Sequence, residues 1–181
     1  MPSFPDINPT YLLIAAIAIV VLLIALFVLR YMRSRSPKAV AEVAQNGLKI
    51  SVKYSQPYKR NRTIFGNIVP FGKVWRTGAN EATIITVDRN VFVADQPLNK
   101  GTYSLFSIPS ETDWVLIFNS QTGQWGVRYD QTKDVLRATV TSRVYTPEAD
   151  QFYISFEPRP DGTAMLLTWD QTQVVVPFRK R

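Results

Sequence analysis

Cysteine and histidine are both missing from this 181-residue chain. Without cysteine there is no disulfide, no thiolate nucleophile and no thiolate-bound metal; the redox compartment stays open, because either side of a membrane tolerates a cysteine-free protein. Without histidine the usual general base, the Ser-His-Asp triad and the commonest zinc and haem ligand are gone. The chemistry left rests on Asp, Glu, Lys, Arg, Ser, Thr and Tyr. A Gly-x-x-x-x-Gly-Lys-Ser/Thr phosphate loop and an Asp-x-Asp-x-Asp-Gly calcium loop are absent as well. Charge of one sign is also scarce outside one place. The net charge is +7, and Arg30, Arg33, Arg35 and Lys38, immediately after a hydrophobic run, carry over half of that excess. The other cations are scattered apart from Lys59-Arg60 with Arg62 and the terminal Arg179-Lys180-Arg181. That is not the basic stripe with interleaved aromatics that nucleic acid requires. The composition predicts a protein with no catalytic residues, no metal, no cofactor and no nucleic-acid partner.

What is present first is a greasy segment. Tyr11 to Leu29 reads YLLIAAIAIVVLLIALFVL, nineteen residues without a charge. As a helix it covers roughly 28 Å, close to the hydrocarbon thickness of a bilayer. In lipid the backbone must bond within the segment, which demands a helix. Tyr11 and Tyr31 fall where interfacial aromatics are favoured. The competing reading is a cleaved signal peptide, which needs a basic n-region, a shorter apolar run and a small-x-small site. Here MPSFPDINPT carries only Asp6, and Ala39-Val40-Ala41 is a distant imitation of such a site. A retained anchor is the expectation, with residues 1–10 as a tail and 11–35 as the transmembrane helix and its basic flank. The cations at Arg30, Arg33, Arg35 and Lys38 predict the N-terminus outside and the body in the cytoplasm. They would also be drawn to anionic lipid on that leaflet. A periplasmic body is the alternative. Ala15, Ala18, Leu22, Ala25 and Leu29 follow a 3-4-3-4 spacing, a stripe along which a partner helix can approach closely.

Beyond the span, Ser36-Pro37 followed by KAVAEVAQ and Asn46-Gly47 predicts a short linker helix over residues 36–47, with Ser36 as N-cap and Asn46 or Gly47 at the exit. No long flexible tether follows, so the body is expected close to the bilayer surface. About 135 residues remain, enough for one domain with a real core. From Leu48 the period becomes two: Leu48, Ile50, Val52 and Tyr54 alternate with Lys49, Ser51 and Lys53. Strands are expected at 82–87, 91–93, 101–108, 114–118, 135–144, 152–156, 164–169 and 172–178 as well. In VLRATVTSRV, Leu136, Ala138, Val140 and Val144 are placed on one buried face; Phe152, Ile154 and Phe156 alternate likewise. Turn residues separate these segments. Nine short strands without a long helical pattern predict an all-β, antiparallel sandwich or barrel-like domain over residues 48–181.

The densest polar motif is Trp75-Arg76-Thr77-Gly78-Ala79-Asn80-Glu81, preceded by Ile68-Val69-Pro70-Phe71-Gly72. Two readings compete. Arg76 holds an anion bidentately while Asn80 and Glu81 shape a polar pocket beside Trp75; or Gly78 and Asn80 make a tight turn that an Arg76–Glu81 pair fixes. Arg62 belongs to the same candidate ligand or docking loop. The run R-x-IFG-x-IVPFG-x-VWRTGANEAT (Arg62 to Thr83), with GTYSLFSIP (Gly101 to Pro109), W-x-x-IFN (Trp114 to Asn119) and W-x-x-T-x-V-x-VPF (Trp169 to Phe178) in order, resembles an uncharacterised bacterial family, domain of unknown function 2911. The resemblance spans roughly Leu48 to Phe178 and implies a small β domain with no established activity or ligand, and a bacterial inner membrane as the one that holds the span. Members of that family often resemble exported proteins with signal peptides or lipid anchors, a pattern from which this chain departs by its retained span and basic flank. Glu81 with Asp88, or Asp130 with Asp134, would be the carboxylate pairs of a glycoside hydrolase, but such pairs need a set separation across a groove. Tyr58, Phe65, Phe71 and Trp125 lie near turns, either as a docking surface or as caps on the core. The function these observations predict is a non-catalytic, single-pass accessory subunit. It would stabilise a larger membrane complex, by analogy photosynthetic or respiratory, with membrane lipid and integral membrane subunits as partners. A tethered domain binding a small anion or sugar is the alternative, and a carboxylate hydrolase comes third.

Overall fold

The computed structural model describes residues 8–181, and the chain divides into two compact units, Met1–Arg35 and Ser36–Arg181. The first unit holds one helix, α1 (Pro9–Ser34). It begins two residues ahead of the predicted span, for a local reason. The Asn8 side chain accepts a hydrogen bond from the Thr10 backbone N–H at 2.9 Å, and Pro9 occupies the first helical position, where its missing N–H is no loss. Within it, Pro9–Tyr31 is long and apolar enough to cross a membrane, with a mean hydropathy of 3.5 over its most apolar stretch of eighteen residues. The greasy residues lie on every side of the helix, unlike the single apolar stripe of a helix that packs on a soluble core. Ala15, Ala18, Leu22, Ala25 and Leu29 are exposed along it, as is Arg30. Tyr31 stacks on Phe27, and Arg35 lies over the Tyr31 ring at 5.2 Å. The Arg33 side chain and residues 1–7, Asp6 among them, lie outside the described residues.

The second unit is all strand: β1 (Lys38–Gln45), β2 (Leu48–Ser55), β3 (Thr83–Val87), β4 (Val91–Val93), β5 (Gln96–Leu98), β6 (Gly101–Ile108), β7 (Asp113–Asn119), β8 (Asp134–Arg159) and β9 (Gly162–Lys180), with one turn of 3-10 helix at Gln131–Lys133. The expected linker helix over 36–47 is instead strand β1. Its residues alternate between outward Lys38, Val40, Glu42 and Ala44 and half-buried Ala39, Ala41, Val43 and Gln45. Ala39, Ala41 and Val43 pack on the core, and Gln45 pairs with Leu48. Asn46 and Gly47 both have positive φ, 50° and 70°, as a two-residue hairpin turn demands. Asn-Gly therefore closes a hairpin here and does not end a helix.

All neighbouring strands are antiparallel, in the order β1-β2-β3-β6-β7-β8-β9-β4-β5. Two long strands fold this sheet into a sandwich. β8 pairs with β7 up to Thr141 and with β9 from Ser142 onward. Its register with β9 breaks around Ala149, opposite Asp170, whose φ is 55°. The β8–β9 hairpin bends there until Gly162 abuts the Phe178 carbonyl. Val144 sits at that departure and is 80 % exposed, not on the buried face with Ala138 and Val140: once β8 leaves β7, the alternation that held upstream no longer points to the same layer. The nine expected strands and the nine observed are different sets. Four expected segments merge into β8 and β9, while β1 and the three-residue β5 were hidden by Asn-Gly and by Pro97.

The core between the layers takes Ile50 and Val52 from β2, Ile85 and Val87 from β3, and Trp114, Leu116 and Phe118 from β7. Across from them stand Val174, Val176 and Phe178 from β9. At one end Trp75, Trp114, Trp169, Phe65 and Phe152 meet edge to face or stacked, with centroids 5.0–6.1 Å apart, separations at which aromatic pairs attract beyond their buried area. The outer face of β6 and β7 is also covered: Phe106 and Ile117 form a smaller cluster with Ala82 and Tyr129.

Candidate functional site

The Trp75–Glu81 motif lies in the long connection from β2 to β3, and its polar groups are mostly consumed in holding it there. Trp75 exchanges both backbone bonds with Ser107 of β6, and its indole N–H donates to the Gly78 carbonyl at 3.1 Å. The Thr77 hydroxyl donates to Ser107 Oγ at 3.0 Å, and Thr83 Oγ1 donates to the Thr77 carbonyl at 2.7 Å; Thr77, Thr83 and Ser107 are fully buried. Thr77 and Asn80 carry φ of 52° and 61° and Gly78 of 151°. A Cβ on Gly78 would stand 3.0 Å from the Ser55 carbonyl, so this tight turn requires glycine.

Arg76 and Glu81 do not fix the turn as a pair in the described ion pairs. Glu81 meets Lys38 at 3.3 Å, and the two help to line a hollow over β1 and β2. The half-buried Arg76 donates to the Asn80 carbonyl at 3.4 Å and borders a separate cleft of about 470 Å³ with Ile68, Lys73, Val74, Val127 and Tyr129. Burial pushes its guanidinium below the ordinary arginine value. Asn80 is buried and contributes its backbone, accepting from Gly126 N–H at 3.0 Å. The three residues thus serve two clefts and an interior turn rather than one pocket. Lys38, expected in the membrane-surface flank, is the first residue of β1. Arg62 is elsewhere on the connection, donating to the Lys59 and Tyr58 carbonyls at 2.9 and 2.8 Å. Beside it Lys59 bridges Glu148 and Asp170 at 2.6 and 2.7 Å.

The carboxylate pairs do not face each other across a groove. Glu81 and Asp88 flank opposite ends of β3, about 23 Å apart along an extended chain. Asp130 caps the 3-10 turn through Thr132. Asp134 accepts from Asn119, Tyr129 and Arg137 at 2.6–2.9 Å; burial, and next the bond to Asp134, raise the Tyr129 pKa. Among the described residues no group of three acidic side chains suits a metal. Of the aromatics, Phe65 belongs to the core cluster, Tyr58 and Trp125 are half-buried, and Phe71 is exposed. Sequence reasoning missed Lys73, Gly126, Val127 and Tyr129 at the Arg76 cleft, since the β7–β8 connection that supplies three of them lies some fifty residues further along.

No curated protein and no solved structure matches the chain. Residues 36–178 match the family described as "Protein of unknown function (DUF2911)", which takes in β1 and nearly all of the sandwich. Both the ordered motifs and the match over most of its length make this chain a member of the DUF2911 family.

Proposed function

We propose that this protein is a non-catalytic accessory subunit, anchored by a retained α1 and carrying its β domain on the cytoplasmic face of an energy-converting membrane complex. The observation that carries the reading is the helix itself: Pro9–Tyr31 is long enough to cross a membrane, its most apolar stretch of eighteen residues has a mean hydropathy of 3.5, and the apolar side chains lie on every side. Such a surface is satisfied by lipid or by other spans. The four cations following it favour a cytoplasmic body. A second support is the use of the densest polar motif as a buried scaffold, with Thr77, Asn80 and Thr83 committed to internal bonds. The alternative of a tethered small-ligand domain keeps only the Arg76 cleft in its favour.

Extraction in mild detergent followed by native gel electrophoresis and intact-mass measurement tests the reading. The expected result is a full-length chain of 20.6 kDa migrating within a larger assembly. A chain that begins after Leu29, or one that migrates alone as a monomer, overturns it.

A further inference from the structure

Seven large apolar side chains of the β unit are exposed, and four of them, Ile68, Phe71, Val74 and Val127, gather around the Arg76 cleft. Single exposed apolar residues need no explanation, but a cluster does. Ile68, Val74 and Val127 line the cleft together with Lys73 and Arg76, and no carboxylate lines it. None of the described ion pairs includes Lys73 or Arg76. Arg128, next to Val127, is exposed as well. On the connection that supplies Val127, Asp130 caps the 3-10 turn through Thr132, and Asp134, at the start of β8, accepts from the hydroxyl of the lining Tyr129 at 2.6 Å and pairs with Arg137; neither carboxylate lines the cleft. The connection itself, residues 56–82, holds Lys59, Arg60, Arg62, Lys73 and Arg76 against one acidic residue, Glu81, which faces Lys38 and not the cleft.

The position of this patch in the fold gives it a neighbour. Ser55, where the connection departs, is the register partner of Lys38, where β1 begins. Lys38 pairs with Glu81 at 3.3 Å, and Asn80, the residue before it, bonds to Gly126, the residue before Val127. Direct contacts thus run from the start of β1 to the patch. Only residues 35–37 separate α1 from β1, and three residues of chain reach at most about 11 Å.

We propose that the Ile68–Val74 turn and Val127 form a second membrane contact, with their apolar side chains in the interfacial region and Lys73, Arg76 and Arg128 on the phosphates of anionic phospholipid. An apolar surface ringed by cations is the chemistry that binds such an interface. The proposal rests on the anchored reading for its proximity to lipid.

Because the chain has no cysteine, one introduced thiol labels one site. Full-length Val74→Cys, Val127→Cys and Ala44→Cys, each carrying an environment-sensitive fluorophore, are reconstituted into phosphatidylcholine vesicles with or without phosphatidylglycerol. Ala44 is exposed and six residues along β1 from Lys38, about 20 Å from that end. On phosphatidylglycerol vesicles the labels at 74 and 127 shift to the blue and are quenched by lipid-borne quenchers, while the label at 44 does neither. Lys73→Glu abolishes the shift, and salt near 1 M weakens it as screening shortens to about 3 Å. Inorganic phosphate added to the phosphatidylcholine samples produces no shift; a full shift there would assign the cleft to free phosphate and overturn the lipid contact. Labels at 74 and 127 as exposed as the one at 44, or shifts equal on the two lipids, also overturn it. Flotation with phosphatidylcholine vesicles reads the anchor separately. A chain that floats but shows no shift sinks this contact alone, and one that floats with neither vesicle sinks both readings.

Discussion

Gly162 has no room for a side chain, because a Cβ there would run into the Phe178 carbonyl of the same strand. Backbone atoms cannot swing aside as a flexible side chain does, so the close return of the β8–β9 hairpin depends on the missing methyl. Gly162→Ala is expected to cost about 3 kcal/mol or more, read from the tryptophan fluorescence of the full chain in urea. All four tryptophans, at 75, 114, 125 and 169, lie in the β unit, so the signal reports that unit. Gly123→Ala, with nothing within 4 Å of the added atom, meets only the strain of its positive φ of 80°, about 1–2 kcal/mol, and should cost less. Thr77 makes a different argument. Its hydroxyl is buried and bonded to Ser107, and Thr77→Val removes the donor while keeping the shape. The expected loss is about 1–3 kcal/mol. A negligible change would mean that the buried bond contributes nothing to stability.

Where β8 and β9 bend, the corner is held by a cation. The Lys59 ammonium reaches Asp170 of β9 and Glu148 of β8, tying the start of the β2–β3 connection to both strands where their register breaks. The hydrogen bond to Asp170, then that to Glu148, raises the Lys59 pKa. A pKa raised in the folded state contributes stability in full below the unfolded value, about 10.4 for lysine, and the contribution is lost as pH rises through the folded value. The difference in unfolding midpoint between the natural chain and Lys59→Met should therefore be constant at neutral pH and narrow at alkaline pH above about 10.4. A difference that stays flat through that range would show that the bridge does not stabilise the corner.

At the scale of the whole molecule, the proposed membrane complex makes α1 the surface to test. If its small-residue stripe seats a partner span, Ala18→Leu should displace that span, whereas Ala16→Leu, the same substitution on another side of the helix, should not. Native gels after mild detergent extraction read the result as loss of the larger band for Ala18→Leu only. Equal effects of the two variants would remove the stripe from the argument.

The long apolar helix, the all-β body and several of the strands followed from residue order alone. Hydropathy over Tyr11 to Leu29 is a sum over consecutive residues, and the alternation in β2 and in Phe152 to Phe156 repeats within a handful of positions, so each signal is complete in its own segment. The Trp75–Glu81 motif was visible too, as a concentration of residues suited to positive φ and to buried hydrogen bonds. Other outcomes depended on distant chain. KAVAEVAQ has the composition of a helix, yet β2 offers it a ladder and the core accepts Ala39, Ala41 and Val43. Val144 keeps its place in an alternating pattern but is exposed, because β8 changes partner three residues earlier. Arg76 and Glu81 look like a pair in the sequence, but the β7–β8 connection brings Gly126 against one and β1 brings Lys38 to the other. A local period tells a residue which way to point; the segment that lies in that direction is set only when the whole sheet closes.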